Sequence, residues 1–330
     1  MTTISEIAKE AGLGTTTVSR YLNHQPYVSK EKQQKIEAAI KKLNYIPNRA
    51  AKQLRTHKTN QIGVLVSRIT NPFFAELFDG IERLLHKYGY NVLIMQTYDD
   101  SKVEQHFLNM LESHEVDAVM LASIENKDNI LKMVKKFPGK VILVNEDCPE
   151  LKDDVVSIDH YDAVKNGLEY LYKKGKSKIS YVTGGSFSGT SHGSTRTQAF
   201  LDFMQQHNLP IESNWIFENL HTVSDGEYLA KRLISLDHKP EAVFTNSDEV
   251  ALGIIAEFHS NGIKVPEEIA VMGYDDQPFS KYALIPITTI HQPVHELAKA
   301  SVKKLLFNLG VSNDIQVGDL ALTLKIRQSA

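Results

Sequence analysis

Along the first 45 residues apolar side chains recur at helical spacing: Ile4, Ile7, Ala8 and Ala11, then Val18 and Leu22, then Ile36, Ala39, Ile40 and Leu43. This periodicity predicts three short helices around one small core. Thr3 and Glu6 fit a capping box at the first helix, and Gly12 suits the left-handed position that ends it. The second helix, from Thr15 to Leu22, buries Val18 and Leu22 and turns Thr15, Thr16, Ser19 and Arg20 outward. The third runs from Ser29 to Leu43. A further short helix is expected from Tyr45 to Leu54, started by Pro47 and Asn48. So short a helix is marginal on its own in water, and Thr56 to Gln61 is a polar junction.

From Ile62 onward the pattern changes to short apolar runs separated by amphipathic stretches. The first set is Ile62 to Val66, helix Phe73 to Tyr88, Asn91 to Gln96, helix Val103 to His114, Ala118 to Leu121, a helix near Asn129 to Lys136, and Val141 to Val144. The second is Val155 to Ile158, helix Asp162 to Lys173, Ile179 to Val182, helix Thr195 to Gln206, Trp215 to Phe217, helix Gly226 to Leu236, Ala242 to Phe244, helix Glu249 to Ser260, and Ile269 to Met272. Such alternation implies an α/β protein whose parallel sheets are covered by helices on both faces. Two sets imply two lobes.

Two short helices joined by a glycine-bearing turn form the layout of a helix-turn-helix, which places its second helix in the major groove of DNA. Charge supports that reading. Residues 1 to 60 hold eleven Lys and Arg against four Glu, a net of +7, whereas the remaining 26 basic and 36 acidic residues give −10. A basic end on an acidic body suits phosphate contact at that end only. The chain of 330 residues exceeds one typical core, and its 42% hydrophobic and 23% charged content is ordinary for a globular protein. No apolar run reaches membrane-spanning length and no export signal is evident, so a cytoplasmic protein with no membrane partner is expected. Cys148, the single cysteine, allows no internal disulfide and reads as an inert packing or loop residue.

In open parallel sheets ligands bind beyond the carboxyl ends of the strands. Those ends are polar here: Ser67-Arg68, Asn145, Asp159, Asn246 to Asp248, and Tyr274-Asp275-Asp276. Carboxylates and amides facing across a cleft suit the hydroxyls of a sugar or nucleoside-like ligand, with Phe73 and Phe74 as an apolar wall. Asp159 and Asp248 also read as helix caps. Rival chemistries are weaker. The glycine spacing of Gly184 to Gly189 does not fit a dinucleotide loop, Asp248 with Asp275-Asp276 matches no metal-ligand pattern, and Ser188, Ser191 and His192 form no nucleophile elbow. Neither enzyme activity nor a cofactor is expected.

The motifs Thr17-Val18-Ser19-Arg20-x-Leu22-Asn23, Tyr45-x-Pro47-Asn48, Ala51-Lys52-x-Leu54-Arg55, Ile62-Gly63-Val64, Asn71-Pro72-Phe73-Phe74, Asp117-Ala118-Val119, Asp248-x-x-Ala251-Leu252-Gly253, Gly273-Tyr274-Asp275-Asp276 and Thr288-Thr289-Ile290-x-Gln292-Pro293 occur in order along the chain. In these it resembles the lactose-repressor/galactose-repressor (LacI/GalR) family of bacterial transcriptional regulators. The resemblance implies an N-terminal three-helix helix-turn-helix headpiece (1–46), a hinge helix and linker (47–61), and a two-lobed periplasmic-binding-protein-like core (62–330). The N-lobe would comprise about 62–159 and 291–320, and the C-lobe about 160–290 and 321–330. To the groove-facing residues it adds Asn23, Asn48, Ala51, Lys52, Leu54 and Arg55 as DNA contacts, Leu54 wedging into the minor groove.

It further implies effector contact at Phe73, Phe74, Asn145, Asp159, Arg196, His221, Asn246 and Asp275. Two departures stand out. The family's Arg-x-x-Gly-aromatic motif is Arg196-Thr197-Gln198-Ala199-Phe200 here, and His221 replaces the usual aromatic before Ser224-Asp225-Gly226. The implied protein is a dimeric repressor of a carbohydrate-use operon, binding double-stranded operator DNA under control of a small ligand, since palindromic operators call for a two-fold dimer. The final residues show no leucine heptads of the kind that build a tetramerisation tail. The alternatives are a periplasmic-type sugar-binding protein, or a regulator controlled by a partner protein or a purine.

Overall fold

The computed structural model describes residues 2–22, 25–45, 58–145, 148–188, 193–316 and 318–330. Two compact units emerge, Met1–Lys58 and Thr59–Ala330. Of the expected DNA contacts, Asn23, Asn48, Ala51, Lys52, Leu54 and Arg55 lie outside the described residues, as do Ser191 and His192.

In the first unit, helices α1 (Ile4–Ala11), α2 (Thr15–Leu22) and α3 (Lys30–Lys42) enclose Ile7, Ala8, Val18, Val28, Ile36 and Ala39. The capping box at α1 is formed in both directions. Thr3 N donates to Glu6 Oε2 at 2.7 Å, and Glu6 N donates to Thr3 Oγ1 at 3.3 Å. Gly12 closes α1 at φ +64°, a region that costs a Cβ-bearing residue strain.

The second unit contains two sheets. Strands β1 (Gln61–Val66), β2 (Asn91–Gln96), β3 (Ala118–Leu121), β4 (Val141–Val144) and β5 (Val155–Val156) pair in parallel in the order β2-β1-β3-β4-β5. The carboxylate of Asp117 anchors the entry to this sheet by accepting the amides of Thr59 at 2.7 Å and Asn60 at 2.9 Å. The other sheet uses β6 (Ile179–Val182), β7 (Ile216–Phe217), β8 (Ala242–Phe244), β9 (Ala270–Asp275), β10 (Thr288–His291) and β11 (Thr323–Lys325). Its order is β11-β10-β9-β8-β6-β7, and only β11 is antiparallel to its neighbour. Both lobes thus reverse strand order beside their first strand, which is where doubly wound sheets open a crevice.

Helices cover both faces of each sheet. They are α4 (Pro72–Lys87), α5 (Ser101–Glu112), α6 (Lys127–Lys136), α7 (His160–Lys173), α8 (Ser194–Gln206), α9 (Val223–Ile234), α10 (Asp248–Ser260) and α11 (Val294–Asn308). Although α11 follows β10, its Val294, Leu297, Ala298 and Leu305 pack with Ile62, Leu77 and Ile81 of the N-lobe. The chain therefore returns to the first lobe before β11 completes the second. No described helix is long and apolar enough to cross a membrane.

Some element starts differ from the sequence pattern, each for a local reason. Helix α5 begins before Val103 because Asp100 Oδ1 accepts the Lys102 amide at 2.7 Å. Helix α9 begins before Gly226 because Thr222 and Asp225 form a second capping box. The expected strand from Trp215 starts one residue later, since Ser213–Trp215 is a 3-10 turn that buries the indole.

Candidate functional site

On α2 of the first unit Val18 is buried, Thr15, Thr16 and Arg20 are exposed, and Ser19 is half-buried. The face opposite the headpiece core therefore presents a guanidinium and hydroxyls, groups able to reach base edges in a major groove.

In the second unit a cleft with about 510 Å³ of empty space, part of it open solvent, lies at the strand ends of both lobes. Of the eight residues expected at an effector site, Phe73, Phe74, Asn145, Arg196, His221, Asn246 and Asp275 line it. Asp159 does not. It is exposed, and its Oδ1 accepts the Asp162 amide at 2.9 Å as the N-cap of α7. Asp248, the other residue read as a cap, is not one, because the cap of α10 is Ser247. Fully buried, Asp248 accepts the Gln277 amide at 2.7 Å and fixes the loop after β9. Desolvation raises its pKa well above the usual carboxylate range, and the charge of Asp275 adds to that. Gly273 leaves the room this needs, since a Cβ there would stand 2.0 Å from Asp248 Oδ1.

Asp275 ends β9 at φ +97° and is buried. Its carboxylate accepts from Gln292 Nε2 at 2.6 Å and from Gln277 Nε2 at 3.3 Å. The same Gln277 nitrogen reaches Asn71 Oδ1 at 3.2 Å. Asn71 caps α4 through the Phe73 amide at 2.9 Å, so this contact ties the C-lobe loop to the N-lobe helix that carries Phe73 and Phe74.

A second polar chain crosses the lobes. The Asn145 carbonyl meets His160 Nε2 at 3.0 Å, and His160 Nδ1 meets the Tyr274 hydroxyl at 2.7 Å. A carbonyl only accepts, so Nε2 carries a proton and donates to it. Burial pushes the Tyr274 hydroxyl pKa upward, so this hydroxyl meets the ring in its protonated form. Across the Tyr274 ring, at 4.9 Å from its centroid, lies the guanidinium carbon of Arg196.

Also lining the cleft are Ser67 and Ser247, which belong to the polar strand ends, and Asn71, Asp99, Gly184 and Gln292, which the pattern of strand ends did not single out. Asp99 bonds the Ser67 hydroxyl and the Arg68 guanidinium. Its Oδ2 lies 3.7 Å from His221 Nε2. Burial works against its ionisation, but Ser67, Arg68 and His221 outweigh that and hold its pKa below the usual value. Gly184 matters through its missing side chain, because a Cβ would come within 3.0 Å of Asn246 Nδ2 and 3.1 Å of His221 Cε1. Among the described residues no group of three or more His, Cys, Asp or Glu could hold a metal ion.

Residues 3–48 match the family model for bacterial regulatory proteins of the lacI family. Residues 59–308 match that for periplasmic binding proteins and the sugar binding domain of the LacI family. The chain is 35% identical over 331 residues to the NTD biosynthesis operon regulator NtdR of Bacillus subtilis, covering 100% of each chain. It is 31% identical over 306 residues to the HTH-type transcriptional repressor PurR of Haemophilus influenzae, covering 93% of this chain and 90% of that one. A LacI family transcriptional regulator from Lactobacillus casei, solved with bound sucrose, shares 50% identity at a TM-score of 0.79, covering 82% of this chain and 99% of that one. With its headpiece and its two-lobed core each matched, this chain belongs to the LacI family of DNA-binding transcriptional regulators.

Proposed function

We propose that this regulator is a homodimeric, cytoplasmic repressor of a carbohydrate-utilisation operon, and that a small sugar bound in the cleft sets its affinity for operator DNA. The observation that carries the reading is the convergence of Asn145, Asn246 and Asp275 from the strand ends of both lobes, with Arg196 from the first turn of α8, beside Phe73 and Phe74. Carboxamides, a carboxylate and a planar guanidinium can grip adjacent hydroxyls while an aromatic wall covers the apolar face of a ring. Support comes from the Lactobacillus casei regulator, which was solved with glucose and with sucrose.

In this reading Thr15, Thr16, Ser19 and Arg20 read base edges, Asn23, Asn48, Ala51, Lys52, Leu54 and Arg55 complete the DNA contact, and residues 47–61 pass the signal. Edge strand β2, with Ile94 exposed, and the exposed Tyr282 and Leu284 of the other lobe are surfaces suited to a second copy. Coupling requires a ligand whose affinity differs between the two states by roughly 1 to 3 kcal/mol, enough for a 5- to 150-fold change. The test selects operator fragments from genomic DNA with the full chain and measures their affinity with and without glucose or sucrose. A sugar-dependent change of fivefold or more supports the reading. Selective operator binding that no sugar alters, but that a purine or a partner protein does, overturns it.

A further inference from the structure

We infer that the cleft selects a neutral ligand rich in hydrogen-bond donors, an unphosphorylated polyol, and rejects the corresponding phosphate ester; this rests on the sugar-effector reading above. The first ground is the orientation of two carboxamides. Asn246 donates through Nδ2 to the Leu220 carbonyl at 2.8 Å, and Gln292 donates through Nε2 to Asp275 Oδ1 at 2.6 Å. Neither carbonyl nor carboxylate donates to these nitrogens, so neither amide can be turned round without losing its bond. The opposite ends are fixed as acceptors. Asn246 Oδ1, Gln292 Oε1 and Asn145 Oδ1 are all buried without a hydrogen-bond partner among the described residues. All three residues line the cleft. A buried acceptor left unmet is costly, and a ligand hydroxyl that donates to it relieves that cost.

The second ground is charge. Two carboxylates line the cleft, Asp99 and Asp275, against one guanidinium, Arg196, and the imidazole of His221. Behind the wall, Arg68 is already bonded to Asp99 and faces a carboxylate rather than a vacant anion site. Sugar hydroxyls can donate to the two fixed acceptors and to Asn145 Oδ1, and accept from Arg196 in turn. A phosphate dianion offers acceptors alone, and near Asp99 it meets like charge in a partly desolvated site.

The test is isothermal titration of the full chain with two matched pairs, glucose with glucose 6-phosphate and sucrose with sucrose 6-phosphate, and with inorganic phosphate. The expected result is binding of at least one parent sugar, its ester bound at least tenfold more weakly, and no heat from phosphate. In Asp99→Asn, which leaves Arg68 without its carboxylate, the gap between sugar and ester should narrow at least threefold, with thermal unfolding recorded to show that the variant is folded. An ester that binds as tightly as its parent overturns the selectivity and leaves sugar control standing. Binding of neither member of either pair overturns both.

Discussion

His221 Nε2 stands 3.7 Å from Asp99 Oδ2, so the residue just before the cap of α9 in one lobe faces the loop after β2 in the other. Both side chains keep about a quarter of their surface in solvent, which limits the pair to about 1 kcal/mol. His221→Phe keeps a ring at this position and removes the polar contact. Sugar affinity should fall about two- to fivefold, the equivalent of that energy, measured by titration. A loss above tenfold would show that His221 bonds the ligand itself.

Arg196 and Asp275 should act as a pair in ligand response without supporting the headpiece. Arg196→Ala removes the guanidinium over Tyr274, and Asp275→Asn keeps the shape while weakening acceptance from Gln292 and Gln277. Each should cost the ligand about 1 to 3 kcal/mol through unpaired hydroxyls, and so abolish sugar-dependent change in operator affinity at millimolar ligand. DNA affinity without ligand should stay within about twofold, since neither residue lies in the helix-turn-helix unit. Anisotropy titrations with labelled operator measure both, and a wild-type sugar response in both variants would place the effector elsewhere.

What could be read in the chain was what local chemistry encodes. Thr3 and Glu6 announce a cap because both partners lie within one turn, and Asn145, Asn246 and Asp275 stand out because each ends an apolar run that becomes a strand. Gln292 obeyed the same strand-end rule after β10 and could have been chosen by it. Asp99 could not, because it adjoins Asp100, the genuine cap of α5, and its partners Arg68 and His221 are distant in sequence. His160 was equally silent. It looks like an ordinary first residue of α7, and its role comes from Asn145 and Tyr274, which only the fold brings to it. Asp159 misled for the opposite reason, since a carboxylate just before a helix has a local use of its own.

Stability of the core should carry a pH signature from Glu249. Burial first, and then the charge of Asp275, raises its pKa to about 7 from an ordinary 4.5. The folded state therefore holds a proton that the unfolded chain releases. This contribution is complete below about pH 4.5 and is lost as the pH rises through about 7. Its full size would be near 3 kcal/mol, but partial exposure and the amides at the start of α10 favour the ionised form and reduce it to about 2. Glu249→Gln should match the wild type near pH 4.5 and exceed it by about 2 kcal/mol at pH 8 in urea unfolding of the core. A difference independent of pH would rule out the titration of Glu249.

Arg20 separates base reading from phosphate contact in the headpiece. It is exposed in the last turn of α2, one turn beyond Thr16, where a recognition helix brings long side chains to guanine edges. If it pairs with a base, Arg20→Ala should weaken operator binding by about 1 to 3 kcal/mol and relax the preference at one base pair in each half-site, with binding to random duplex nearly unchanged. If it neutralises a phosphate instead, operator and random DNA weaken alike, and the slope of log affinity against log salt falls by about 0.9 for each contact removed. Titrations of both duplexes at three salt concentrations distinguish the two, and an equal loss on each with the reduced slope would remove Arg20 from sequence recognition.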